Sequence, residues 1–226
     1  MFGIIGAALG AIGSAIGGIC SGLAGVVGSL GAGIASIAAT IGKIAANPIF
    51  GLVIQLVCEI AKVFCGRPEK ETPEEMGAMM EEGAKMGIKP NDYKSTKEYL
   101  DALREKVKID EKRMNEIRSN DVKCCAYKCV GAGAYMKDAQ ERLSMSIPID
   151  VLKIGAVCKM GAEQLVDFAR GCSASTSDIS AYLNGKPTTE KPDKVAETLA
   201  NAMKAACPEM SENQIYEAIN KVMGNK

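Results

Sequence analysis

Bulky and small apolar residues recur through residues 3–44 at spacings of three and four. Gly3, Gly6, Gly10, Gly13 and Gly17 fall in one stripe of a helix, and Ile5, Leu9, Ile12, Ile16, Ile19, Leu23, Val26 and Leu30 keep the same rhythm. The bulky series then slips by one and resumes at Ile34, Ile37, Ile41 and Ile44. Strand alternation fits much worse. The run reads as a heptad with aliphatics on one face and Gly, Ala or Ser on another.

A second apolar helix is expected after the Asn47-Pro48 breaker, in "NPIFGLVIQLVCEIAKVFCG". Ile49, Leu52, Val53, Leu56, Ile60 and Val63 form its apolar face, and Gln55, Glu59 and Lys62 run down a polar line. At about 17 residues it is only marginally long enough to span a bilayer. The polar line is expected to be a solvated face, with an ion or proton site at Glu59 as the sharper alternative.

Beyond "GRPEKETPEE" the pattern becomes that of ordinary surface helices with explicit start and stop signals. Thr72, Pro73 and Glu75 open a helix running to about Met86, with Met76, Met79, Met80 and Met86 along it as gap-filling core. Ser95 with Glu98 opens the next helix, through Tyr99, Leu100, Leu103 and Val107, and a charged helix over 110–119 follows. Two long helices are predicted at 121–144 and 149–171, then a short one in "ISAYLNG" closed by Asn-Gly. Pro192 and Ser211 with Gln214 start the last two. The fold class expected is all-α, with a glycine-rich apolar segment at 1–66 and a soluble multi-helix domain at 67–226.

Composition changes this picture at the N-terminal end. Residues 1–42 hold twelve glycines and no charge. At roughly 1 kcal/mol each relative to alanine, such a helix carries an intrinsic penalty of about 12 kcal/mol that close packing has to offset. Lipid does this by penalising the coil, and a water-excluding bundle does it by interdigitation. As one helix the segment would be about 63 Å long, twice the ~30 Å hydrocarbon core. It is therefore either a hairpin bending near Gly17-Gly18 or Gly22 to Gly25, or one long member of an oligomeric bundle, and the unbroken heptad favours the bundle. With no basic n-region, the segment is not expected to be a signal peptide.

Charge and residue inventory exclude whole classes of chemistry. The formal net charge is zero, which provides no footprint for nucleic acid. Histidine and tryptophan are absent, removing the commonest general base and metal ligand. Nine cysteines at irregular spacing with no CxxC do not form a secreted disulfide framework, and buried thiols are expected. "KCCAYKC" places Cys125 and Cys129 one helical turn apart beside Cys124, with Cys158 on a later helix. This is no recognised ligand spacing, so no metal or other cofactor is expected; the alternatives are a disulfide across helices and a partial zinc or iron-sulfur donor set. "GAGAY" at 131–135 and "NGKP" at 184–187 follow no strand and are not nucleotide loops.

The glycine stripe resembles the glycine-zipper segments of membrane-active proteins: some bacteriocins, translocators of secretion systems, and ejection or tail-lumen proteins of bacteriophages. In composition it also resembles rotary ATPase proteolipid helices, but no carboxylate lies in the first 45 residues. The resemblance implies self-association and membrane activity. The expectation is a non-enzymatic homo-oligomeric structural protein whose N-terminus packs with further copies or partitions into lipid, inside a phage particle or contractile injection machine. A secreted pore-forming toxin or translocator is the second expectation, and a membrane-tethered cysteine enzyme the third.

Overall fold

The structure, a computed structural model, describes residues 31–224. Among them are eleven α-helices, two short 3-10 turns and no strand. The helices are α1 (Gly31–Gly42), α2 (Phe50–Cys65), α3 (Pro73–Lys85), α4 (Thr96–Lys106), α5 (Glu111–Arg118) and α6 (Asp121–Leu143), followed by α7 (Ile149–Val157), α8 (Ala162–Gly171), α9 (Thr176–Leu183), α10 (Pro192–Ala206) and α11 (Glu212–Gly224). The all-α expectation holds for the described chain.

Most starts and stops lie where local chemistry puts them. Thr72 Oγ1 accepts the Glu75 N–H at 3.3 Å, and Ser95 Oγ accepts the Glu98 N–H at 3.2 Å. Ser211 and Gln214 form a reciprocal box, with Gln214 Oε1 accepting the Ser211 N–H at 2.8 Å and Ser211 Oγ accepting the Gln214 N–H at 3.3 Å. The box at Ser95 is modified: the Glu98 carboxylate takes the N–H of Lys94, one residue upstream of the cap. α9 ends at Asn184-Gly185, where Gly185 at φ +62° lets Lys186 N–H reach Ala181 O and close a Schellman turn.

The helix expected over 149–171 is two helices. α7 stops in a Schellman turn, with Met160 N–H on Gly155 O at 2.9 Å and Lys159 N–H on Ala156 O at 3.2 Å. The left-handed position of this turn, φ +55°, is occupied by Lys159, a residue that carries no stop signal in the sequence. Gly161 then starts α8, its N–H held by Gln164 Oε1 at 3.0 Å.

The packing divides the chain elsewhere than the change of composition at residue 66. One unit comprises residues 61–143 together with 31–50 of the described chain, and the other comprises 51–60 with 144–224. In the first unit α6 is the central helix, with α1 and α3 packed on it. Tyr99, Leu100, Leu103, Met76, Met80, Tyr135 and Met136 are fully buried there. Met76, Met79 and Met80 fill core as expected, while Met86 is exposed. In the second unit α8 packs on α10, and Ile154, Leu165, Phe168, Leu199 and Met203 are buried. Gly171 allows that crossing: a Cβ there would meet the Ala202 Cβ at 2.8 Å.

Candidate functional site

The helix-packing residues Gly3, Gly6, Gly10, Gly13, Gly17, Ile5, Leu9, Ile12, Ile16, Ile19 and Leu23 lie outside the described residues. What the structure describes is the downstream end of the same small-residue run. α1 carries no charged side chain, and it seats Ile34, Ala38 and Ile41 in the core of the first unit. At its start Gly31 has φ +68°, a left-handed conformation that favours glycine.

The seat for α1 is the "GAGAY" stretch of α6. A Cβ built on Gly133 would lie 2.9 Å from the Ala38 backbone nitrogen and 3.0 Å from its Cβ. One turn end further on, Gly33 of α1 lies under the Lys137 side chain, 3.0 Å from Cε on the same measure. The pairs Ala38–Gly133 and Gly33–Lys137 run in opposite chain directions, so the two helices cross antiparallel. Small residues on both helices bring the backbones close, and dispersion plus buried apolar area hold them there.

The other side of α6 receives α3 by the same device. A Cβ at Gly131 would fall 1.9 Å from Pro73 O, and one at Gly77 would fall 2.4 Å from Tyr127 O. Ion pairs then fasten the strap before α3, and α3 itself, to its neighbours. Buried Glu71 accepts from Arg104 Nε at 2.8 Å and Nη2 at 2.9 Å, and from the Tyr135 hydroxyl at 2.8 Å. Glu81 accepts from Arg113 at 2.9 Å and from the Tyr127 hydroxyl at 2.6 Å. Those bonds hold its carboxyl below the usual range against the opposing effect of burial. α1 has no such fastening: the side-chain hydrogen bond from Thr40 to Ser36 O stays within the helix. "GAGAY" is no nucleotide loop, and its two glycines serve helix packing instead. Their spacing of two on a 3.6-residue helix directs them to different neighbours, and it is the sequence signal for this double seat.

The polar line of α2 is dispersed. Gln55 and Glu59 are exposed, and Lys62 pairs with Glu69 at 2.8 Å. Glu59 also approaches the start of α8, its Oε1 lying 3.8 Å from where a Cβ on Gly161 would be. A carboxylate beside a helix N-terminus is electrostatically favoured, so a packing role accounts for the placement. No helix among the described residues is long and apolar enough to cross a membrane, α2 included.

Comparison with protein families, with curated proteins and with solved structures finds no match. The reading therefore rests on the residues themselves.

None of the eight cysteines in the described residues is in a disulfide, and no three metal-donor side chains converge among those residues. Cys124 faces the cluster of Ala78, Met114, Ile117 and Tyr127. Cys158 belongs to the other unit, where Cys207 is near enough to act on it. Burial pushes the Cys65 and Cys172 thiols up to about 12 and Cys158 up to about 11; at Cys65 the nearby Asp138 adds to the effect. Cys124 and Cys207 are also raised by burial. Cys125 moves the other way: a hydrogen bond with Cys129 lowers it, with help from the Lys128 ammonium and against burial. Thiolate is the reactive form. Brief iodoacetamide treatment at pH 7.5 is therefore expected to label Cys125 well before Cys65, Cys158 and Cys172, as read by peptide mass spectrometry. Earlier labelling of Cys172 would show that burial does not control these thiols.

Proposed function

We propose that this protein is a non-enzymatic, self-associating structural component. In this reading its helical body displays residues 1–30, an uncharged glycine-zipper segment, for close packing with further copies. The observation that carries the reading is the Ala38–Gly133 crossing. Where the small-residue run is described, its use is backbone-close helix packing, and the upstream stripe at Gly3, Gly6, Gly10, Gly13 and Gly17 repeats the same spacing without a charge to interrupt it. A particle such as a phage or contractile injection machine is the setting that suits a compact helical bundle able to pass from storage into lipid. The chemistry of the thiols supports a non-catalytic role, because burial raises five of them and no histidine is present to activate one.

The test uses the full chain with Gly10→Leu or Gly13→Leu, each placing a bulky side chain in the stripe. The unmodified protein is expected to sediment as a discrete oligomer without detergent, and each variant as a smaller species with the same helical signal and melting temperature. Unchanged oligomer size in both variants would overturn the zipper assignment. A wild-type monomer that permeabilises liposomes by itself would make lipid the partner of the stripe and favour the pore-forming reading.

A further inference from the structure

The seat that α6 offers to α1 fits a second stretch of the same chain. Beside α1, "GAGIASIAATIG" at 31–42, the stretch "GAALGAIGSAIG" at 6–17 has its bulky aliphatics in the same places: Leu9 for Ile34, Ile12 for Ile37 and Ile16 for Ile41. Every other place in both is Gly, Ala, Ser or Thr, and the match continues outward to Ile5 with Leu30 and Ile19 with Ile44. In α1, Ile34, Ala38 and Ile41 are buried in the first unit, and Gly33 passes under Lys137. Their counterparts Leu9, Gly13, Ile16 and Ala8 keep the same spacings, so a helix over 6–17 would present them on one face. The seat accommodates each of them. Leu9 and Ile16 conserve the volume of Ile34 and Ile41, the kind of exchange that cores tolerate best. Gly13 in place of Ala38 removes a methyl from the tightest point of the crossing, where a Cβ on Gly133 would come within 3.0 Å of it. Ala8 in place of Gly33 adds one carbon 3.0 Å from Lys137 Cε, the far end of a flexible side chain that can swing aside.

We infer that the α6 seat is the joint between copies of this chain: in the assembled state residues 6–17 of a second copy take it, and α1 is the occupant that fills it in the free chain. The inference rests on the self-association reading and gives the glycine stripe a receptor surface. α1 gives up no ion pair on leaving, since it carries no charged side chain. The occupant is a second copy because the same exchange within one chain would loop out residues 18–49 between the seat and α2, and closing that loop costs entropy. Reciprocal exchange between two copies avoids the loop and closes a two-fold pair, the commonest arrangement of homo-oligomers. The α1 helices so released carry the same repeat and join the glycine stripe.

The test is photo-crosslinking of the full-length chain with a diazirine-bearing lysine analogue in place of Lys137, the side chain that lies over Gly33. Isotope-labelled and unlabelled chains are mixed, irradiated and separated by size, and mass spectrometry locates each link and tells whether it joins two copies. The monomer fraction is expected to show links within one chain, to residues around Gly33. In the oligomer the links are expected to run between copies, to residues around Ala8. Leu9→Asp, which places a charge at the counterpart of buried Ile34, is expected to abolish the links between copies and the oligomer. The same variant is expected to keep the link to Gly33 and the wild-type melting temperature. An oligomer whose links stay within one chain at Gly33 overturns the seat assignment and leaves the self-association reading standing. Links between copies that end at Gly33 overturn it as well, since they show α1 itself changing places. A chain that is monomeric at every concentration overturns both readings.

Discussion

Gly131→Val is expected to unfold the first unit at temperatures where the wild type is fully native. Even the first carbon of a side chain at Gly131 would lie 1.9 Å from Pro73 O, 2.7 Å from Pro73 C and 3.0 Å from Pro73 Cα. All three atoms are backbone at the first turn of α3, so no rotamer change relieves the clash. Overpacking that side chains can absorb costs 1–3 kcal/mol, and a displaced helix costs more, so a loss of about 3 kcal/mol or more is expected. That corresponds to a fall of at least ~10 °C in melting temperature for a unit of this size. Gly51→Ala is the control. It also sits within a helix, but nothing lies within 4 Å of the added carbon. There the better helix propensity of alanine is expected to leave stability unchanged or raise it by up to ~1 kcal/mol. Urea denaturation of both variants checks this. If Gly131→Val is as stable as the wild type, α3 does not lie against α6 as described.

A chain beginning at Arg67 is expected not to fold, although its composition is that of a self-sufficient soluble domain. It lacks α1 and α2, with the Ile49 that precedes α2; Ile34, Ile41, Ile49, Val53, Leu56, Val57 and Ile60 are all buried. At roughly 1.5–3 kcal/mol for each buried aliphatic side chain, the loss is on the order of 10–20 kcal/mol. Total stability of a domain is about 5–15 kcal/mol, so little or nothing remains. The second unit loses its strip 51–60, including Leu56, which lies 3.2 Å from where a Cβ on Gly155 would be. Circular dichroism and proton NMR of the truncated chain check this. A sharp, cooperatively melting spectrum would show that α1 and α2 are accessories to the fold.

Helix boundaries were legible wherever the determining chemistry is local. Thr72, Ser95, Pro192 and Ser211 start helices because a side-chain oxygen or a fixed φ acts within one turn, and Gly185 ends one because it accepts a left-handed backbone. The break between α7 and α8 was not legible. Its left-handed residue is Lys159, and its cause is not written in propensity. The arrangement of the thiols was half visible. The spacing of Cys125 and Cys129 was plain, but Cys124 and Cys158 could be separated from them only once each had a neighbourhood.

By itself, the sequence determined that residues 31–224 are helical, that the N-terminal run carries too much glycine to stand as an isolated helix in water, and that no histidine-based chemistry is available to the chain. These follow from periodicity, propensity and inventory, which are properties of neighbouring residues or of simple counts. Tertiary structure alone decided that residues 31–42 belong with α6, that the units divide within α2 and not at residue 66, and that Gly131 and Gly133 turn to different partners. The physical reason is that close packing is a relation between surfaces distant in the chain. A glycine states that something comes near, and only the fold says what.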